Sequence, residues 1–308
     1  MIHQPVLLRE VLEWLAPRPA GIYVDGTVGE GGHADALLRA SDPDGIVVGI
    51  DRDMEALDLS GQRLASFGNR IRLVHGNFRD LPEILSVLDI SRVDGILLDL
   101  GVSSRQIFNP SRGFSFSLDG PLDMRMDLTQ TKTAADLLME TTEQDLARLL
   151  RAYGEERWAK PIARAIVKGR PVRSTLDLAR IVASAIPPRF QSTRRHPATQ
   201  TFQALRIAVN RELEGLDEGL RKAVGLLAPG AALAVITFHS LEDRIVKNTL
   251  RELERGCICP PRIPRCVCGR TPVVKILSPK PIISSPRERQ ENPRCRSAKL
   301  RAARRLPV

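Results

Sequence analysis

Val24-Asp25-Gly26-Thr27-Val28-Gly29-Glu30-Gly31-Gly32-His33 is the stretch on which the reading of this chain turns. A β-branched apolar run, Ile22 to Val24, stops at an aspartate, glycines crowd the next positions, and a helical pattern begins at Ala34. That order predicts a strand, a tight turn and a helix N-terminus, where backbone N–H groups can approach a ligand closely. Glycines alone say little, because Gly29-x-Gly31-x-x-Ala34 also fits the loose dinucleotide fingerprint. The next strand is more informative. Ile46-Val47-Val48-Gly49-Ile50 ends in Asp51, an acid placed to take the two hydroxyls of an adenosine ribose, although an aspartate there can instead cap the helix that starts near Met54.

Two nucleoside cofactors use such a plan, NAD and S-adenosylmethionine. NAD needs its pyrophosphate seated on the helix N-terminus, where an acidic side chain repels it. Here Asp25 precedes the turn and Glu30 lies inside it. S-adenosylmethionine carries a sulfonium and an ammonium and no phosphate, so nearby acids attract it. The loop chemistry favours the methyl donor.

At 308 residues the chain is long enough for one large α/β domain with an insertion or small second domain. No run of eighteen apolar residues exists, and Met1 to Leu15 contains Arg9, Glu10 and Glu13, which argues against a signal peptide or membrane span and for a cytoplasmic protein. The net charge is +10, and from Arg255 to the end 14 Lys or Arg face 2 acids, so the remainder is near neutral. Such a concentration suits a phosphate backbone, or simply solubility. All 5 cysteines lie at or after Cys257, four of them as Cys257-x-Cys259 and Cys266-x-Cys268. The usual zinc spacing is C-x-x-C, so the expectation is reduced thiols holding no metal, with a structural zinc as the alternative.

Along the chain, Ile71 to His75 reads as a third strand running into Gly76-Asn77-Phe78, where an adenine could lie against the ring or the ring could cap the core. Val93 to Leu98 is a nearly continuous apolar run, as in parallel sheets buried on both faces, and ends in Asp99. Ligands of open α/β sheets gather beyond the carboxyl ends of the strands, so Asp25, Asp51, Phe78 and Asp99 are expected to face one crevice. Gln106 to Asp127 is too long for an ordinary connection and mixes arginines, aromatics and acids, which suits a loop gripping a flipped base, or an ordered tie between domains. Ala134 to Ile186 is helical throughout, with Thr142 and Ser174 as N-caps. A basic connection, Arg189 to His196, leads to a long helix over 201–227, a fifth strand over 231–238, His239-Ser240 at its tip, another helix, a last hairpin over 273–283 and a basic tail. The expected parts are therefore 1–105 and 201–285 as one sheet domain, 106–200 as substrate loop and helical insertion, and 286–308 as tail.

Several stretches together resemble the small-subunit ribosomal RNA methyltransferase H family: Asp25 to His33, Gly49 to Asp53, Asp94 to Ser104, Arg112 to Phe116, Asp119 to Asp127, His196 to Asn210, Phe238 to Arg244, and Asn292 to Leu300, with His3 to Leu7 at the start. The resemblance spans nearly the whole chain. It implies a Rossmann-like class I S-adenosylmethionine-dependent methyltransferase sheet with an inserted all-helical domain, and methylation of the exocyclic N4 of a cytidine in the decoding region of 16S RNA within the small ribosomal subunit. By that similarity Gly31, Gly32, His33, Asp51, Phe78, Asp99 and Gln106 are the cofactor contacts. The oligomeric state, a homodimer included, is left open, as is naked RNA against assembled subunit.

Carbon-5 methylation of cytosine needs a thiolate that adds to the ring, and no cysteine occurs in residues 1–256. Direct transfer to nitrogen or oxygen remains. The exocyclic amine is a poor nucleophile, and a carboxylate accepting its N–H bonds returns density to it. Asp99, or the backbone beside Leu100 and Gly101, is the expected acceptor, with Asp119, Asp123 and His239 as second choices. The rivals are a non-catalytic RNA-binding or ribosome-assembly factor on the same scaffold and an NAD-dependent oxidoreductase.

Overall fold

A computed structural model of the chain describes residues 5–191, 196–260, 265 and 267–307. Two compact units emerge, residues 1–101 with 215–308, and residues 102–214. The first unit opens with α1 (Leu8–Leu15), β1 (Ile22–Asp25), α2 (Gly32–Ala40), β2 (Ile46–Asp51), α3 (Met54–Leu64), β3 (Ile71–His75), α4 (Leu81–Val87) and β4 (Val93–Asp99). The second holds α5 (Ser104–Phe108), α6 (Ala134–Glu140), α7 (Glu143–Gly154), α8 (Ala159–Lys168), α9 (Thr175–Ala185) and α10 (Thr199–Asn210). The chain then returns to the first unit with α11 (Leu216–Leu226), β5 (Leu227–Thr237), α12 (Ser240–Glu254), β6 (Val274–Ile276), α13 (Pro286–Glu291) and β7 (Lys299–Arg305).

The sheet order is β3-β2-β1-β4-β5-β7-β6. β1 to β5 run parallel, whereas β7 is antiparallel to both β5 and β6. Strand order reverses between β1 and β4, which makes their carboxyl ends the switch point where an α/β sheet opens a crevice. Both faces are covered, as the apolar strand runs predict. Val24, Val48, Ile96, Leu98 and Val235 pack on one side with residues of α4, α11 and α12, and Tyr23, Val47, Leu97, Ala234 and Ile236 on the other with residues of α1 and α2. The second unit has its own core, in which Leu138, Leu146, Leu150, Ile162, Ile166, Leu178 and Val182 meet, the helical stripes of the sequence.

Three expectations need correction. The helix expected over 201–227 is two helices, because Arg211 and Gly215 take left-handed backbone at φ 50° and 64° and break the rod between α10 and α11. α10 thus falls in the second unit, and the return to the sheet comes at 215 rather than 201. The tail expected over 286–308 is not a tail: α13 lies there, and β7 is a paired strand between β5 and β6. Nor is there a hairpin over 273–283. β6 pairs with β7, and Ile282 bridges to Leu300.

Candidate functional site

Register places the three strand-end acids. Asp25 pairs with Gly49 on β2 and with Leu97 on β4, so those strands each run two residues further before ending at Asp51 and Asp99. Side chains two residues apart share a face, and register partners in a parallel pair point the same way. Asp25, Asp51 and Asp99 therefore stand on one face and at one edge of the sheet, on the side packed by α2.

The glycine turn is pinned to both neighbours as it leaves β1. Gly26 N–H donates to Leu97 O and Val28 N–H to Ile50 O, both at 2.9 Å. Gly29 N–H donates to Asp51 Oδ2 at 2.8 Å, and Asp99 N–H donates to Thr27 Oγ1 at 2.6 Å. Two of the glycines are required by the backbone or by space. Gly31, at φ 77°, is the N-cap of α2 and leaves only 3.1 Å between a would-be Cβ and Leu64, while a Cβ on Gly26 would sit 2.5 Å from Leu98. Gly32 opens α2 against Pro5.

Asp25 is 1 % exposed, and its Oδ2 meets no partner; Oδ1 accepts only a long bond of 3.3 Å from Thr27 N–H. Burial pushes its carboxyl up to about 7, with the charges of Asp99 and Asp51 adding, while His33 and the Thr27 N–H pull the other way. His33, on the first turn of α2, is buried with neither ring nitrogen bonded, and its Nε2 stands 3.6 Å from Asp99 Oδ2, outside hydrogen-bond reach. Asp99 Oδ1 is buried and equally unmatched. Buried polar atoms are nearly always satisfied, so four orphans within one cluster mark a place where a polar ligand completes the structure. Two acids and an imidazole facing inward suit a cationic ligand and repel a pyrophosphate.

Asp51 is already half engaged: Oδ2 takes Gly29 N–H, and Oδ1 takes Asp53 N–H at 3.0 Å. A carboxylate offers about four acceptor positions, so room for two hydroxyls remains. The capping role that competed for Asp51 belongs to Asp53, whose side chain accepts from Glu55 N–H at the start of α3. Burial raises the Asp51 carboxyl as well, against the backbone bonds that stabilise its charge.

Each of the remaining expected residues has a structural setting of its own. The Phe78 ring is 5 % exposed and packs in the opposite core layer toward Gly219 of α11, while its Cβ stands 3.0 Å from where a Cβ on Gly26 of the glycine turn would lie. His239 is the N-cap of α12 in a reciprocal box: its Nδ1 accepts from Glu242 N–H, and Glu242 Oε2 accepts from the backbone N–H of Phe238 and of His239. In the second unit, Gln106 closes a capping box with Ser103 at the start of α5. Asp123 is held by Arg125 through paired bonds of 2.8 Å, and Asp119 is exposed. The loop expected to grip a base is largely tied within its own unit. The buried Arg112 guanidinium donates to the carbonyls of Arg125 and Met126, and Asn210 brackets Met124 O and Met126 N–H at 2.7 Å each. Thr27 escaped the sequence reading, although its hydroxyl fixes the backbone of Asp99; a β-branched hydroxyl residue inside a glycine turn was the available signal.

The model of the MraW methylase family matches residues 1–306. The chain is similar to a protein of Trichlorobacter lovleyi called ribosomal RNA small subunit methyltransferase H, 54 % identical over 307 residues that cover 99 % of this chain and 98 % of that one. A protein of the same name from Geobacter sulfurreducens is also 54 % identical, covering 99 % of each chain. Among solved structures, an rRNA methylase from Streptococcus thermophilus covers 100 % of this chain and 99 % of its own at 12 % identity, with a TM-score of 0.42, too loose a likeness to support more.

Proposed function

The chain belongs to the MraW methylase family and is a methyltransferase, and we propose that it transfers the methyl group of S-adenosylmethionine to the exocyclic N4 of a cytidine in the decoding region of 16S ribosomal RNA, in the cytoplasm. The observation that supports this reading most is the set of orphaned acid and imidazole atoms on one face of the switch point, because their chemistry suits a sulfonium nucleoside. The names of the full-length relatives supply the ribosomal RNA, and the resemblance of the motifs supplies the cytidine nitrogen. Among the described residues no helix is long and apolar enough to cross a membrane.

S-adenosylmethionine, when bound, supplies an electrophilic methyl on a cationic sulfur. Asp25, ionised, would face positive charge on the ligand, Asp51 would accept from ribose hydroxyls, and Gly31 and Gly32 would keep the approach free of side chains. Asp99 has a free carboxylate oxygen to accept an N–H of the cytosine amine, which raises the density on that nitrogen. Thr27 and the bond from Leu100 N–H to Ile236 O hold the tip of β4 still while it does so. Once methylated, the amine loses its proton to water, so no general base is assigned.

Calorimetry separates the readings. S-adenosylmethionine is expected to bind the full chain, with binding abolished by Asp25→Ala and by Asp51→Ala, while NAD gives no heat. Binding of NAD, or unaltered affinity in both variants, would overturn the proposal.

A further inference from the structure

Between Glu254, the end of α12, and Val274, the start of β6, the chain makes a long excursion in which no described residue is buried. Its described residues supply no buried apolar side chain to hold it in place. Its base is closed by Val273 N–H donating to Leu253 O at 2.8 Å and by Ile276 N–H donating to Glu254 Oε1 at 2.7 Å. Yet beyond that base three cysteines converge. The Sγ atoms of Cys257, Cys259 and Cys268 all lie within 4.8 Å of one another.

The sulfur spacing is that of a metal site. Thiolates bound to zinc at about 2.3 Å in tetrahedral geometry stand about 3.8 Å apart, and Cys257 Sγ and Cys268 Sγ are separated by 3.7 Å. None of the three is in a disulfide. Backbone N–H groups also point at the sulfurs, from Cys259 to Cys257 Sγ and from Val267 to Cys259 Sγ, each at 3.4 Å. Such donors favour thiolate over thiol and are the usual second layer around sulfur ligands. From Arg255 to Pro272 the sequence contains arginines and no acid, which again favours ionised sulfur.

We propose that Cys257, Cys259 and Cys268 hold a zinc ion that staples this loop, each thiol releasing its proton to solvent as its sulfur–zinc bond forms. The ion replaces the missing core. This revises the sequence expectation of thiols holding no metal, which rested on the tight C-x-C spacing; only Cys257 and Cys259 form such a pair here, and Cys268 joins them from the far side of the loop. Cys266 lies outside the described residues, and the assignment is to the other three. The loop enters β6 at the edge of the sheet opposite the strand tips that carry the acids, and the site serves structure, not methyl transfer.

The test uses the full chain, reduced, incubated with zinc chloride, desalted and analysed for metal. About one zinc per chain is expected to remain, with the metal lost in a Cys257→Ser/Cys268→Ser variant and kept in Cys295→Ser, whose sulfur is buried and donates to Asn292 O. Equal zinc in wild type and the double variant overturns the proposal. Because the double variant can misfold, cobalt chloride added to the wild type gives a second reading: a thiolate-to-cobalt charge-transfer band, discharged by zinc, is expected, and its absence overturns the proposal independently. Chelation should also open the loop to trypsin at Arg265 and Arg270, and unchanged cleavage would refute the stapling role.

Discussion

Asp25 is where electrostatics and function pull against each other. Its carboxyl sits near 7 in the folded chain through burial, well above about 4 in an unfolded one. A raised folded-state value means the fold holds that proton more tightly, so the contribution to stability is full below about pH 4 and is lost as pH climbs toward 7. Asp25→Asn should remove that slope and leave the ligand-free protein more stable than wild type at pH 8, by roughly 4 kcal/mol, read from urea midpoints at pH 5 and 8. The same substitution should cost binding. A cationic ligand needs the ionised carboxylate, so wild-type affinity for S-adenosylmethionine should fall about tenfold per unit below pH 7, and Asp25→Asn should bind weakly with no such dependence. Calorimetry across pH 6 to 8 checks both. Asp99→Asn keeps the shape but weakens the acceptor, and is expected to slow methyl transfer by about a hundredfold or more while altering affinity for the donor far less. Strand-end acids were readable from sequence because an apolar run that stops at an aspartate marks the point where a buried strand leaves the core for a polar edge. Their mutual proximity to His33 was not, since it depends on where α2 settles. Gln106 and His239 carry two readings at once: Ser103-x-x-Gln106 is a plain capping pattern, and a polar residue after a strand tip also looks like a ligand contact.

Among the elements, β7 was the least legible. Lys299-Leu-Arg-Ala-Ala-Arg-Arg305 favours helix over strand by intrinsic preference and reads as a cationic tail. It is a strand because β5 and β6 offer it two ladders, and because its one buried charge is matched: Arg301 donates to Asp243 of α12 at 2.6 and 3.2 Å. Burial pushes the Asp243 carboxyl up, but the guanidinium of Arg301 and the ammonium of Lys299 outweigh it and hold it below its ordinary range. Asp243→Asn should therefore destabilise by about 2 kcal/mol, leaving a buried guanidinium poorly matched, and the loss should be absent at a pH low enough to protonate the wild-type carboxyl. Deleting everything after Ile283 removes this strand and should abolish cooperative unfolding altogether. β1 to β4 and α6 to α9 were legible for the converse reason, since period and propensity agree there with the tertiary outcome. The break between α10 and α11 escaped because apolar spacing continues through Arg211 to Gly215; Gly215 was its only local mark.

Across the whole molecule, the positive charge expected of a tail is carried by folded elements, α13 and β7 among them. Among the described cations after Arg255, Arg296 and Arg304 are exposed on folded elements, while Arg301 is buried against Asp243. Arg296→Glu with Arg304→Glu should preserve the melting temperature yet weaken RNA binding and reduce the salt slope by about two; an unchanged slope would move the RNA contact elsewhere. The face bearing Asp25, Asp51 and Asp99 is expected to direct a methyl group to a base nitrogen of ribosomal RNA. The most direct measurement is to incubate the full chain with tritiated S-adenosylmethionine and small-subunit RNA, naked and assembled, then digest and identify the labelled nucleoside. The expected result is label in N4-methylcytidine from the decoding region, strongly diminished with Asp99→Asn. Label on a ribose or on carbon 5, or none from the wild-type chain on either substrate, would contradict it.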